Sequence, residues 1–330
     1  MARPQRSAPG TFLPMGARHG HGSGHGSGHG HTHASGRAED RRRLGLVLLV
    51  TSTVVVVEAV GAWLSGSLAL LADAGHMLTD AAGILLALSA SLIATRPVSP
   101  RRTFGYHRAE IFAAVLNALV LLGVCGYLAY AGTRRLVHPA HVDAGQLLTF
   151  ASVGLAANAA SLVLLTGRRD RSLNMKGAYL EVLSDTIGSV LAILAGVVVL
   201  TTGFLRADSI ASLLIAVMVL PRAWALLGEA GAVLLEATPR GVDVDEVRGH
   251  LGGVAGVVDV HDLHAWTITS GMPALSAHVT VTHESLAARG VGPILDDLSS
   301  CVAAHFGIEH ATFQVEPESH RDHEHDTEHP

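Results

Sequence analysis

Two short stretches carry the side chains able to do chemistry. In "DAGHMLTDAAG", residues 73–83, Asp73, His76 and Asp80 stand in a run otherwise made of small and aliphatic residues. In "YLEVLSDTIGS", residues 179–189, Glu181 and Asp185 do the same. His76 and Asp80 are i,i+4, as are Glu181 and Asp185, so on helices each pair lies on one face with Cβ atoms ~5–6 Å apart. Asp73 lies one turn before His76 on the same stripe. Two helices that each present two such side chains can enclose a tetrahedral site, and imidazole nitrogen with carboxylate oxygen suits Zn²⁺. The blander account gives each residue a separate duty, as interhelical polar glue or as a snorkelling group near a helix end. Two pairs set deep in apolar runs speak against it, because ionisable groups inside a bilayer are costly and by default functional.

The elements that must position these residues are membrane spans. The 330-residue chain is 49% hydrophobic, has a mean hydropathy of +0.38 and is 15% charged, against roughly 25% in soluble domains. Six apolar segments, at about 44–64, 68–94, 111–133, 145–166, 178–202 and 208–228, each approach the ~20 residues a spanning helix needs. The first is long enough to span, and residues 1–43 hold no apolar core, so no cleavable signal peptide is expected. Two cysteines, Cys125 and Cys301, exclude a disulfide framework and a Cys-rich zinc module, and both read as reduced packing residues. The net charge of −5 is too mild to suggest a nucleic-acid partner.

Basic residues set the expected orientation. Arg37, Arg41 to Arg43, Arg96, Arg101, Arg102, Arg108, Arg168, Arg169, Arg171 and Lys176, the only lysine, fall on one side of a six-span arrangement. Arg134, Arg135 and Arg206 fall on the other. The excess places both termini in the cytoplasm of a multi-pass cell-membrane protein. Four regions follow: a disordered His-rich tail over 1–43, a six-helix domain over 44–228, an α+β domain over 237–317, and a disordered acidic tail over 318–330. The third reads helix–strand–strand–helix–strand. In the tail, "HGHGSGHGSGHGHTH" at 19–33 sets six imidazoles among Gly, Ser and Thr, which suits a flexible metal collector.

With these residues in view, "GSLALLADAGHMLTDAAGILLAL", "TFGYHRAEIFAAVLNALVLL", "NMKGAYLEVLSDTIGSVLAILAG" and "VHDLHAWTITSGMPALSAHV" together resemble the cation diffusion facilitator family, in its bacterial zinc/cadmium/cobalt efflux branch. The resemblance covers most of residues 44–317 in order. It implies six transmembrane helices, a cytoplasmic ferredoxin-like domain, a homodimer, and exchange of a divalent metal for protons. His76, Asp80, Glu181 and Asp185 fall on the four transport-site positions. His261 and His278 match positions that bind regulatory metal; Glu316 is a candidate third ligand there, and Asp73, on the stripe of His76 and Asp80, a candidate auxiliary to the transport site. Many zinc-preferring relatives carry histidine where this chain has Glu181, so its site is harder and leaves room for Cd²⁺, Co²⁺, Fe²⁺ or Mn²⁺ after Zn²⁺. Tyr106 stands where some relatives carry a ligand histidine, so no metal is expected there, and His107 reads as a loop residue.

The remaining polar residues get lesser roles. Glu58 and Asp208 line a cavity or an interface. Asn117 and Asn158 hydrogen-bond between helices, worth ~0.6 kcal/mol on average. Gly61, Gly83, Gly188 and Gly196 let helices approach. His264 is three residues from His261 on a strand, so the two face opposite ways and do not share an ion. Metal binding to deprotonated ligands releases protons, which couples transport to a proton gradient. An intramembrane metalloenzyme would need an open coordination position and a base, and no HExxH signature is present. A metal-gated channel or sensor would use the same ligands without proton coupling. No organic cofactor is expected.

Overall fold

The structure is a computed structural model and describes residues 31–167 and 173–323. Among the described residues, six helices are long and apolar enough to cross a membrane. They are α1 (His31–Ser65), α2 (Leu68–Ala94), α3 (Ala109–Val137), α4 (Ala144–Thr166), α5 (Leu173–Thr202) and α6 (Arg206–Leu234). Within α1 the apolar span runs Gly45–Ser65. The helix itself begins at His31, inside the stretch expected to be an unstructured tail, so residues 31–43 are helical here. The rest of the His-rich tract lies outside the described residues.

Local signals explain where the helices start. Asp143 caps α4 by accepting a hydrogen bond from the Gln146 amide at 3.0 Å. Glu110 in the first turn of α3 and Arg134 and Arg135 in its last turn complement the helix dipole. The start of α2 is held more firmly. Asp208 of α6, fully buried, accepts from the Leu68 amide (2.7 Å), the Ala69 amide (3.2 Å) and the Ser67 hydroxyl (2.5 Å). Arg135 of α3 stands 3.8 Å from the same carboxylate. A buried carboxylate thus satisfies amides that a helix N-terminus otherwise leaves orphaned, and it ties α2 to α6 at the end remote from the C-terminal domain. Asp208 is therefore an interface residue, one of the two roles expected for it.

In the membrane region α3 packs against α2 and α6, while α4 packs against α5, and α2 also meets α5. The main core contains Leu68, Leu70, Leu121, Leu147 and Ile215, with Ala residues where helices cross closely. The four expected small-residue contacts are present. A side chain at Gly61 would meet the Phe150 ring, at Gly83 the Asn117 amide, at Gly188 the Asp73 carboxylate, and at Gly196 Leu148. Gly188 matters most here, since it makes room for a buried charge-bearing group.

The C-terminal domain follows as α7 (Val244–Gly252), β1 (Val257–Thr269), β2 (Met272–Val281), α8 (His283–Arg289), α9 (Val291–Phe306) and β3 (His310–Pro317). The sheet order is β1-β2-β3, with β1 antiparallel and β3 parallel to β2. Its core joins Val247 and Leu251 of α7, Ile294, Leu298 and Val302 of α9, and Val279 and Val281 of β2. The order is the expected helix–strand–strand–helix–strand with one addition: α8, capped by the Thr282 hydroxyl on the Ser285 amide. A short 3-10 turn over Glu318–His323 occupies the start of the expected tail, and residues 324–330 lie outside the described residues. Arg108 and Glu236 (2.9 Å), and Thr269 and Glu110 (3.1 Å), link the two regions.

Candidate functional site

His76 is the centre of the membrane cluster. Its Nδ1 lies 3.6 Å from Asp80 Oδ2 on α2, and its Nε2 lies 3.6 Å from Asp185 Oδ1 on α5. All three residues are at least nine-tenths buried, and neither ring nitrogen, nor Asp185 Oδ1, has a hydrogen-bond partner. Buried polar atoms left unsatisfied are rare because each costs free energy. Here they converge from two helices. Glu181, one turn before Asp185 and half-buried, is close enough to Asp80 and Arg222 to feel both charges. The imidazole lies between the two carboxylates, one nitrogen toward each. A cation held by His76, Asp80 and Asp185 together would require the ring to turn or one carboxylate to shift.

A neighbour of the cluster escaped the sequence reading. Arg222 on α6 donates from Nη1 to Asp80 Oδ2 at 3.0 Å. The signal was available: "LPRAW" puts proline and arginine inside the sixth span, and an arginine there must find a partner. Arg222, Asp80, Asn117 and Glu229 line a cleft of about 270 Å³ that runs along α6 toward the C-terminal domain. Glu229 is itself paired with Arg240 at 2.8 Å. Asn117, expected to bond between helices, reaches α2 at Gly83.

On the other side of His76, Asp73 is fully buried and accepts from Ser189 Oγ of α5 at 3.3 Å. Asn158 Nδ2 of α4 reaches Ser189 Oγ at 3.4 Å, the interhelical contact expected of it. Glu58 of α1, also fully buried, lies within interaction range of Asp73 and Asp185. Gly154 of α4 makes room for its carboxylate. Asp73 thus stands beside the cluster, in a second polar layer toward the Asp208 end of α2.

In the C-terminal domain, His261 of β1 and His278 of β2 are directly opposed in the sheet, their ring centroids 5.4 Å apart. Glu316 of β3 approaches His278 Nδ1 at 3.4 Å and His261 Nε2 at 4.0 Å. One donor atom from each of the three lies within 4.8 Å of the others. Glu316 is 3% exposed and also accepts a hydrogen bond from Gln314. Asp259 stands 3.3 Å from His261 and Asp262 3.6 Å from His278. His264 pairs with Asp262 at 2.9 Å; the register breaks between His261 and His264, where Asp262 has φ 45°, so His264 stands opposite Ser276 on the same sheet face as His261 and His278. Strand alternation predicted that His261 and His264 face opposite ways; the register break at Asp262, which the sequence does not reveal, cancels that alternation and leaves both on one face, with His264 outside the His261–His278–Glu316 group.

Comparison with known proteins places this geometry in a family. The profile described as "Cation efflux transmembrane domain" matches residues 44–235, and that described as "Cation efflux protein, cytoplasmic domain" matches residues 239–318. The metal cation efflux system protein CzcD of Cupriavidus metallidurans is 41% identical over 84% of this chain and 87% of its own length. A cadmium, cobalt and zinc/H(+)-K(+) antiporter of Bacillus subtilis is 36% identical over 85% of this chain and 90% of its own. The zinc transporter ZitB of Escherichia coli is 39% identical over 83% and 87%. A solved structure of the metal-bound C-terminal domain of CzcD is 36% identical, covers 23% of this chain and 99% of that one, and has a TM-score of 0.21.

Proposed function

We propose, from the premise that the chain belongs to the cation efflux family (the cation diffusion facilitators), that its buried His76, Asp80, Glu181 and Asp185 hold the transported ion. The protein is a multi-pass membrane transporter that exports divalent metal cations, with zinc first and cadmium and cobalt as further substrates, as the names of its relatives indicate. One imidazole and three carboxylates form a harder donor set than two imidazoles would, which leaves room for Mn²⁺ and Fe²⁺ after these. The observation that carries the site is the unpartnered His76 imidazole held between Asp80 of α2 and Asp185 of α5.

Metal enters along the Glu229–Arg222–Asp80 cleft from the cytoplasmic face, where both termini lie. Its binding expels protons from the ligands, and protons from the far side displace it in turn. The α2 and α5 halves of the site then rock relative to each other. The working unit is a homodimer in the cell membrane, and it is a carrier with no catalytic step. His261, His278 and Glu316 bind regulatory metal, and residues 19–33 collect metal for export.

Asp80→Ala or Asp185→Ala in proteoliposomes tests the site. Each variant inserts and dimerises but loses metal uptake, and near-normal uptake by either would end the four-ligand reading. Imposing a proton gradient separates exchange from a metal-gated channel: uptake by a channel would not respond to it.

A further inference from the structure

We infer that His250, Cys301 and His305 form a separate, thiolate-bearing metal site on the helical face of the C-terminal domain. Cys301 and His305 are i,i+4 on α9, so they share one face. His250 comes from α7, which packs against α9. One donor atom from each of the three lies within 4.8 Å of the other two. Donors around a tetrahedral zinc, at ~2.0–2.3 Å from it, stand roughly 3.3–3.8 Å apart. Closing the site thus needs about an ångström of side-chain movement, which surface histidines can make.

Three further observations favour ligation over packing. The core-facing stripe of α9 is Ile294, Leu298 and Val302, and Cys301 lies off it, only partly buried. Cys125, by contrast, is 5% exposed within the membrane core and needs no other account. Cys125 thus fits the expected packing role, and Cys301 takes a second one as a ligand.

His305 Nδ1 stands 2.9 Å from the Cys301 carbonyl oxygen. A carbonyl only accepts, so Nδ1 carries the proton in the neutral ring, and Nε2 keeps the lone pair that a metal needs. A backbone carbonyl that fixes the tautomer in this way is the usual support of a ligand histidine. The His250 ring lies 4.6 Å from the His305 ring, and the edge contact with Phe306 at 5.3 Å braces it from behind.

Burial pushes the Cys301 thiol up, which makes it a poor free nucleophile and argues against a redox role. A bound divalent cation removes that proton outright. Two imidazoles and one thiolate are softer donors than those of the other two sites, and select Zn²⁺, Cd²⁺ or Co²⁺ over Mn²⁺ or Mg²⁺. The fourth position is left for water.

Spectroscopy can isolate this site, because the chain has only two cysteines and the other two clusters have none. Titrating the full-length, detergent-purified protein with Co²⁺ gives a near-ultraviolet thiolate-to-cobalt charge-transfer band. That band is retained in Cys125→Ser and in Asp185→Ala, and lost in Cys301→Ser. His305→Ala or His250→Ala weakens the apparent Co²⁺ affinity read from the band at least tenfold. Cys301→Ser keeps its transport rate at saturating metal, which separates failure here from failure of the membrane site. Absence of the band in the wild-type protein, or its survival in Cys301→Ser, would overturn the assignment.

Discussion

Arg222 occupies one oxygen of a proposed metal ligand, and removing it should tighten the site. Its Nη1 is 3.0 Å from Asp80 Oδ2; the arginine side chain is 50% exposed and that of the aspartate 7%. Two unit charges ~4 Å apart interact by ~1 kcal/mol in bulk water and ~4 kcal/mol at an intermediate dielectric. A half-exposed guanidinium belongs toward the screened end, so the pair contributes about 1–2 kcal/mol. An entering cation must give that up before it gains the oxygen. At ~1.4 kcal/mol per decade, Arg222→Ala should strengthen metal binding roughly 5- to 30-fold.

In vesicles the half-saturating metal concentration should fall by a similar factor, and the maximal rate should fall as well, because release starts from a deeper well. Equilibrium metal binding to the purified protein and initial-rate uptake read the two effects separately. Arg222→Lys, which keeps the charge without the planar fork, should lie between. Asp80→Asn should abolish the effect of Arg222→Ala. Unchanged or weaker metal binding by a folded Arg222→Ala protein would refute the argument.

Other variants test neighbouring parts. Glu181→His should move the initial-rate ranking toward Zn²⁺ and away from Mn²⁺, since imidazole nitrogen suits zinc; an unchanged ranking places Glu181 outside the coordination shell. Deleting residues 19–33 should lower export at low metal and leave it nearly intact at saturation, as measured by vesicle uptake over a concentration series. Gly188→Ala would drive a methyl group into the buried Asp73 carboxylate. Overpacking of this kind typically costs ~1–3 kcal/mol, so thermal unfolding of Gly188→Ala in detergent should come several degrees below the wild type, and below that of a control substitution at the neighbouring exposed Ile187, Ile187→Ala.

The sequence was most legible where polarity broke an apolar pattern. His76, Asp80, Glu181 and Asp185 announced themselves as i,i+4 pairs in spans, and the structure puts three of them in mutual reach with Glu181 alongside. Arg222 obeyed the same logic but has only apolar residues three and four positions away on its helix, so no spacing pointed to its partner 142 residues earlier. Cys301 was hidden by averaging: α9 is amphipathic as a whole, and only the phase of Ile294, Leu298 and Val302 shows that Cys301 falls off the core stripe. The helix α8 carried a readable signal in Thr282, a capping residue ahead of a short helix-forming run. The positive φ at Asp262 carried none, because an aspartate tolerates that conformation without requiring it.

The Asp208 tie gives α2 a pivot. Twelve residues separate Leu68, which the Asp208 carboxylate grips, from Asp80, and at ~1.5 Å per residue that is a lever arm of about 18 Å. Tilting the helix by ~10° about the gripped end moves Asp80 sideways by roughly 3 Å, more than the length of a zinc–oxygen bond. His76, nearer the pivot, sweeps about a third less. Because one carboxylate also holds α6 at this end, the lever arms that carry Asp80 and Arg222 share a fulcrum. A tilt too slight to disturb the packing at the gripped end is large enough at the site to make or break a coordination sphere.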